Sequence, residues 1–181
     1  MKLFSPLSYL RIKHEEKDWY DYKVPVIASV IVTIVYHFHA NKISLIETNG
    51  LLLQVNGLLQ VLIGFYIAAL AAVSTFSSSS IDEVMAGVPP TLVEKFRGQK
   101  LTVELTRRRF VCYLFGYLAL VSFMLFCIGM ISILMGKPFH IWLLTFWSAD
   151  AILWLKTVFV GVYLFILMNI ITTTLLGLYF L

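Results

Sequence analysis

The sequence predicts an all-α integral membrane protein: four transmembrane helices, an interfacial segment at the outer surface and a short helical loop on the cytoplasmic side. Three observations predict it. The chain of 181 residues is 60% apolar and 13% charged, with a mean hydropathy of +0.87, whereas a water-soluble domain carries roughly 25% charged residues to cover its surface. The apolar residues collect in four continuous runs. The cationic residues fall almost entirely in alternate connectors.

Residues 1–23 form a polar N-terminal piece. Ser5 before Pro6 has the order of a helix cap and a first-turn proline. On such a helix Leu3, Leu7 and Leu10 share one face beside Arg11, Lys13 and His14, the pattern of an interfacial amphipathic segment or a docking strip. Residues 24–76 hold the first two spans. The first runs from Val24 to about Phe38, preceded by Trp19, Tyr20 and Tyr22 as interfacial anchors. About 23 residues with four acids precede it, unlike the short basic start of a signal peptide, so a retained helix is expected. The second runs from Leu51 to Phe76.

Residues 77–109 are the loop. Ser80 with Glu83, and Thr91 with Glu94, have capping-box spacing, and Pro89–Pro90 separates the two short helices this implies. The stretch from Lys100 to Arg109 is expected to lead as a helix into the third span. Residues 110–181 hold spans three (Phe110 to Met135) and four (about Ile152 to Leu181), with 138–150, PFHIWLLTFWSAD, as an aromatic interfacial helix between them. Each run approaches or exceeds the roughly 20 residues a spanning helix needs. Continuous apolar runs exclude a β-barrel, whose strands alternate.

Orientation follows from charge. Lys2, Arg11, Lys13, Lys17 and Lys23 precede the first span, and Lys95, Arg97, Lys100, Arg107, Arg108 and Arg109 lie between spans two and three. The other two connectors hold only Lys42 and Lys137, and Lys156 sits at the start of span four. The positive-inside rule then places both termini and the central loop of this multi-pass protein in the cytoplasm.

The sequence offers no residue set for a catalytic, cofactor or metal site. Cys112 and Cys127 lie fifteen residues apart in one apolar run, about 22 Å along a helix, too far to bridge within the chain; they read as packing residues. His37 and His39 diverge on a helix, and a site shared with His140 lacks a carboxylate or thiolate set. Asp150 and Lys156 read as an anchor at the outer end of span four, the lysine snorkelling to headgroups. No nucleophile elbow, glycine-rich phosphate loop or intramembrane aspartate pair is present.

The informative positions concern association. Gly57, Gln60, Gly64, Ala68, Ala71 and Thr75 are spaced by three and four residues, and the eighteen residues they span make about five helical turns, so they form one stripe. Small residues admit close helix approach and a polar group can bond across it, at about 0.6 kcal/mol per bond. Asn169, with Thr173 and Gly177, is a lesser version on span four. Contacts within one bundle and contacts between subunits are both open, and a pore lining is the third option. Arg107, Arg108 and Arg109 read as contacts to anionic lipid, at about 1 kcal/mol each, rather than to nucleic acid. With Glu94, Lys95 and Arg97 they are the candidate lipid- or partner-binding residues.

The short inner N-terminus, NGLLQVLIGFYIAALAAVSTF in span two, VPPTLVEKFRGQ in the loop and LTRRRFVCYLFGYL entering span three resemble the KwaA family, the membrane subunits of Kiwa anti-phage defence systems. The resemblance implies an oligomeric inner-membrane sensor of phage infection that recruits a DNA-binding cytoplasmic effector of the KwaB kind. It implies no catalytic residue. The expectation is therefore a non-enzymatic sensor or scaffold, a homo-oligomer with a tetramer among the options, acting through its inner loop. The alternative is a small channel or pore-forming protein, motivated by Gln54, Asn56 and Gln60.

Overall fold

A computed structural model describes residues 5–12, 19–40, 43–47, 50–75, 79–84, 89–96 and 99–179. Four α-helices dominate: α1 (Val24–His39), α2 (Leu51–Thr75), α4 (Arg107–Leu144) and α5 (Ala149–Tyr179), with a single-turn α3 (Ser79–Asp82) after α2. Each of the four, α1 together with a π-helical turn Trp19–Lys23 that leads into it, is long and apolar enough to cross a membrane. A predominance of Leu, Ile, Val and Phe explains why. Helices satisfy their own backbone groups, the one solution open to a long segment without water.

The order of helices across the bundle differs from their order in the chain. α2 packs along α4, α4 along α5, and α5 along α1. The row is α1–α5–α4–α2, with α1 and α2 at its two edges. Aromatic and branched residues fill the centre: Leu52, Leu59 and Tyr66 of α2 meet Leu114, Phe115, Leu118 and Leu125 of α4 and Ile170 of α5. Tight glycine contacts set local helix separations. A Cβ on Gly177 would lie 2.7 Å from Leu114, and one on Gly136 would fall on Ile46 of the α1–α2 connector. In that connector Gly50 is fixed by backbone, since its Cβ would lie 2.6 Å from the carbonyl oxygen of Leu45.

Three expectations need correction. The loop is not helical beyond α3: β1 (Thr91–Phe96) and β2 (Gln99–Glu104) form an antiparallel hairpin in the register Thr91↔Glu104 to Phe96↔Gln99. The capping-box spacing of Thr91 and Glu94 competes with β-branched Thr91, Val93, Thr102 and Val103, which favour a pleated strand. Pro89 and Pro90 precede the strand, where extended backbone suits them. Ser80 lies inside α3 rather than capping it. The Leu105 N–H continues the ladder to the Pro90 carbonyl at 3.0 Å, and Leu92 and Leu105 are buried at the hairpin's base.

Segment 138–150 is likewise no separate helix. Residues 138–144 complete α4, despite Pro138 within it, and a turn leads into α5. At 38 residues, α4 is about 57 Å long against a hydrocarbon core of about 30 Å.

The N-terminal piece is a 3-10 helix, Ser5–Arg11, rather than an α-helix. With three residues per turn, Pro6, Tyr9 and Ile12 line up, and Tyr9 and Ile12 are the residues that become buried. Leu10, expected on the apolar face, is exposed; Leu3 lies outside the described residues.

Candidate functional site

Three places in the fold gather chemistry. The first is a buried polar node where the N-terminal segment meets the bundle. Asp21, in the π-helical turn, is 1% exposed. Its Oδ1 accepts the Tyr9 hydroxyl at 3.1 Å and the Thr173 hydroxyl at 3.4 Å. Its backbone carbonyl accepts the Asn169 amide at 2.8 Å, and the Asn169 Oδ1 accepts the Tyr117 hydroxyl at 2.8 Å. The Tyr9 and Tyr117 rings stack at 5.0 Å, which closes the circuit. Burial, and then the charge of Asp21, hold the Tyr9 phenol far above the ordinary tyrosine range. It stays a neutral donor.

Sequence reading missed Asp21 because its neighbours lie 12, 148 and 152 residues away. A lone acid beside three interfacial aromatics reads as solvated. The available signal was Asn169 with Thr173, an i,i+4 polar pair in an apolar helix that needed a partner. Asn169 is thus used within the protomer rather than between subunits.

The second place joins α2, α3 and α4 beneath the hairpin. Arg108 Nε and Nη2 bind both oxygens of Asp82 at 2.7 and 3.0 Å, and Nη1 donates to the Val73 carbonyl at 3.2 Å near the end of α2. A bidentate guanidinium fork suits both tasks, which a lysine could not perform. The Thr106 hydroxyl caps α4 by accepting from the Arg109 N–H, and the Arg107 N–H donates to the Glu83 carbonyl. Of the arginine triplet, Arg107 and Arg109 face outward while Arg108 is turned into the fold. Glu94 and Lys95 stand on β1, with side chains outside the described ones, and Arg97 lies outside the described residues.

The third is α2 itself. Leu52, Val55, Leu59, Tyr66 and Val73 face the protomer, whereas Gly57, Gln60, Gly64, Ala68, Ala71 and Thr75 are all exposed. At about 100° per residue the two sets lie on nearly opposite faces. Gly57 and Gly64 have open space where a Cβ would stand. The stripe therefore does not serve contacts within one bundle. Nor do the polar residues of α2 form one lining: Asn56 is buried and accepts the Tyr163 hydroxyl at 3.3 Å, while Gln54 and Gln60 point outward.

At the opposite end of the bundle the histidines serve helix contacts. His37 Nδ1 meets the Thr157 hydroxyl at 3.0 Å, and that hydroxyl already donates to the Leu153 carbonyl, so His37 is the donor. His39 bonds its own helix at the Val35 carbonyl. Among the described residues no three potential ligands gather for a metal. Phe139, Trp142, Phe146, Trp147 and Trp154 are exposed around the α4–α5 turn.

These features define a class: a four-helix chain fit to cross a membrane several times, with a β-hairpin set between its second and third long helices. Comparison with protein-family profiles, curated proteins and solved structures returns no match.

Proposed function

We propose that the protein is a non-enzymatic scaffold or sensor of the bacterial inner membrane that assembles with copies of itself through α2 and presents its hairpin to a cytoplasmic effector. The observation that carries this reading is that α2 holds both halves. Its outward face bears the small-residue stripe with Gln60, and its last turn is tied by Arg108 to the segment leading into the hairpin. A Gln side chain facing hydrocarbon lacks partners, and a second copy brought close over Gly57 and Gly64 supplies them.

Cation distribution supports cytoplasmic termini, with Arg107 and Arg109 at the level of anionic headgroups. Resemblance to the KwaA family supports anti-phage defence, with a KwaB-like effector as partner and no direct contact with nucleic acid. On the hairpin, Val93 and Leu101 are exposed apolar residues on a short two-stranded sheet, a surface suited to strand addition or side-chain docking.

Light scattering after size exclusion in mild detergent tests the assembly. The wild type should elute as an oligomer and Gly64→Leu as a monomer; an oligomer unchanged by Gly64→Leu removes the α2 contact. Replacing residues 91–104 by a glycine–serine linker should abolish co-purification of the effector while leaving membrane insertion intact. An inverted orientation, reported by a fusion at the C-terminus that is active only outside the inner membrane, would sink the docking half.

A further inference from the structure

The row order of the helices leaves α1 at an edge with α5 as its principal neighbour. Its start is nonetheless held from a second direction. The N-terminal 3-10 helix packs on α4, with Pro6 against Gly116 and Tyr9 against Phe110 and Tyr117. From there the Tyr9 hydroxyl reaches Asp21 in the turn that opens α1. The same turn packs on α5, where Asn169 and Thr173 bind it. The Tyr9–Asp21 bond therefore links an edge helix to α4, the helix beyond its own neighbour. The opposite edge helix, α2, needs no such link because it packs directly along α4.

We propose that residues 5–12 are a strap, latched by Tyr9 on Asp21, that holds α1 in place, so that releasing the latch loosens α1 while α2, α4 and α5 stay together. Two features make the strap releasable. A 3-10 helix is weakly bonded and rarely longer than 3–4 residues, so seven residues keep this form through their contacts with α4. Those contacts are few: Tyr9 and Ile12 are buried, Pro6 and Leu7 are half-buried, and Leu10 and Arg11 are exposed. The π-helical turn at Trp19–Lys23 is a rare form of helix, held here by the node and free to rewind when the node opens. The strap is thus a conformational device at the same end of the bundle as the hairpin. It works independently of what the α2 stripe or the hairpin binds.

Disulfide trapping in membranes tests it on the full chain, with Cys112 and Cys127 replaced by alanine. Thr33→Cys with Gly161→Cys reports the α1–α5 contact, because a Cβ at Gly161 would lie 3.4 Å from Thr33. Asn56→Cys with Gly129→Cys reports α2–α4, whose side chains also meet. Introducing Tyr9→Ala should slow trapping of the first pair about 5-fold, a change of about 1 kcal/mol at RT of about 0.59, and leave the second unchanged. Tyr9→Phe, which keeps the stack and loses the hydroxyl, should give an intermediate slowing. If neither pair responds to Tyr9→Ala, the strap does not hold α1. If both pairs slow together, Tyr9 is an ordinary core residue and the device does not exist. A Tyr9→Phe chain that traps like the wild type would assign the hold to ring packing and overturn the latch.

Discussion

Arg108 and Asp82, 26 residues apart, share two hydrogen bonds while the same guanidinium caps a carbonyl of α2. The pair is partly exposed, and exposed ion pairs contribute about 0–1 kcal/mol. Its value lies in geometry: three elements meet at one planar group. Arg108→Gln should therefore lower detergent melting by only a few degrees, about 1 kcal/mol. Hydrogen exchange across residues 91–104 should quicken roughly tenfold, about 1.4 kcal/mol in local opening. Hairpin protection indistinguishable from wild type would show that Leu92 and Leu105 anchor it alone.

Two helical glycines separate interior from exterior. A Cβ on Gly129 would fall on the Asn56 amide oxygen and 2.8 Å from the Tyr163 hydroxyl, whereas one on Gly64 meets nothing within 4 Å. Gly129→Ala must displace Asn56 and break its bond to Tyr163, at about 1–3 kcal/mol. Gly64→Ala should leave protomer stability within about 0.5 kcal/mol of wild type. Thermal unfolding of the two variants in the same detergent checks the contrast, and equal losses would mean that α2 is placed with the wrong face outward.

Asn169 should behave as an interior residue. Asn169→Leu removes the donor to the Asp21 carbonyl and the acceptor of the Tyr117 hydroxyl, and the loss of that buried acceptor costs about 1–3 kcal/mol. Melting should drop markedly while the oligomer size measured before melting stays that of wild type. A monomer with unchanged melting would return Asn169 to the subunit interface.

Alkaline pH should open the strap first. The Tyr9 phenol titrates higher in the folded chain than the ordinary value of about 10. Folding therefore favours its protonated form. The resulting stability is whole below pH about 10 and drains away as the pH rises past it. Trapping of the Thr33→Cys, Gly161→Cys pair should weaken above that pH in the wild type. With Tyr9→Phe the pH dependence should flatten, even though the starting level is lower; an equally steep loss in both would place the titrating group elsewhere.

Much of the fold is local information. Four long apolar runs that together hold a single charge, Lys156, can satisfy their backbones in lipid only as helices, and the ends of α2 and α5 fall within a few residues of where the hydropathy changes. The 107–144 helix runs beyond its apolar stretch through Gly136, Lys137 and Pro138, where Pro138 has no N–H to bond the Leu134 carbonyl yet does not end the helix. The loop was harder to read. Thr91 and Glu94 satisfy the spacing of a helix cap, and only the pairing of 91–96 with 99–104 shows that extended backbone wins.

By itself, then, the sequence determined the number of long helices, their approximate limits and the existence of a small-residue stripe on α2, since each depends on residues near one another in the chain. Tertiary structure alone decided the row α1–α5–α4–α2, the outward turn of that stripe, the inward turn of Arg108 and the joining of Tyr9 and Asp21 with Asn169 and Thr173. Helix periodicity tells which side chains share a face but not which neighbour that face meets. Which helix lies beside which is a property of contacts between residues 35, 52 and 120 positions apart in the chain.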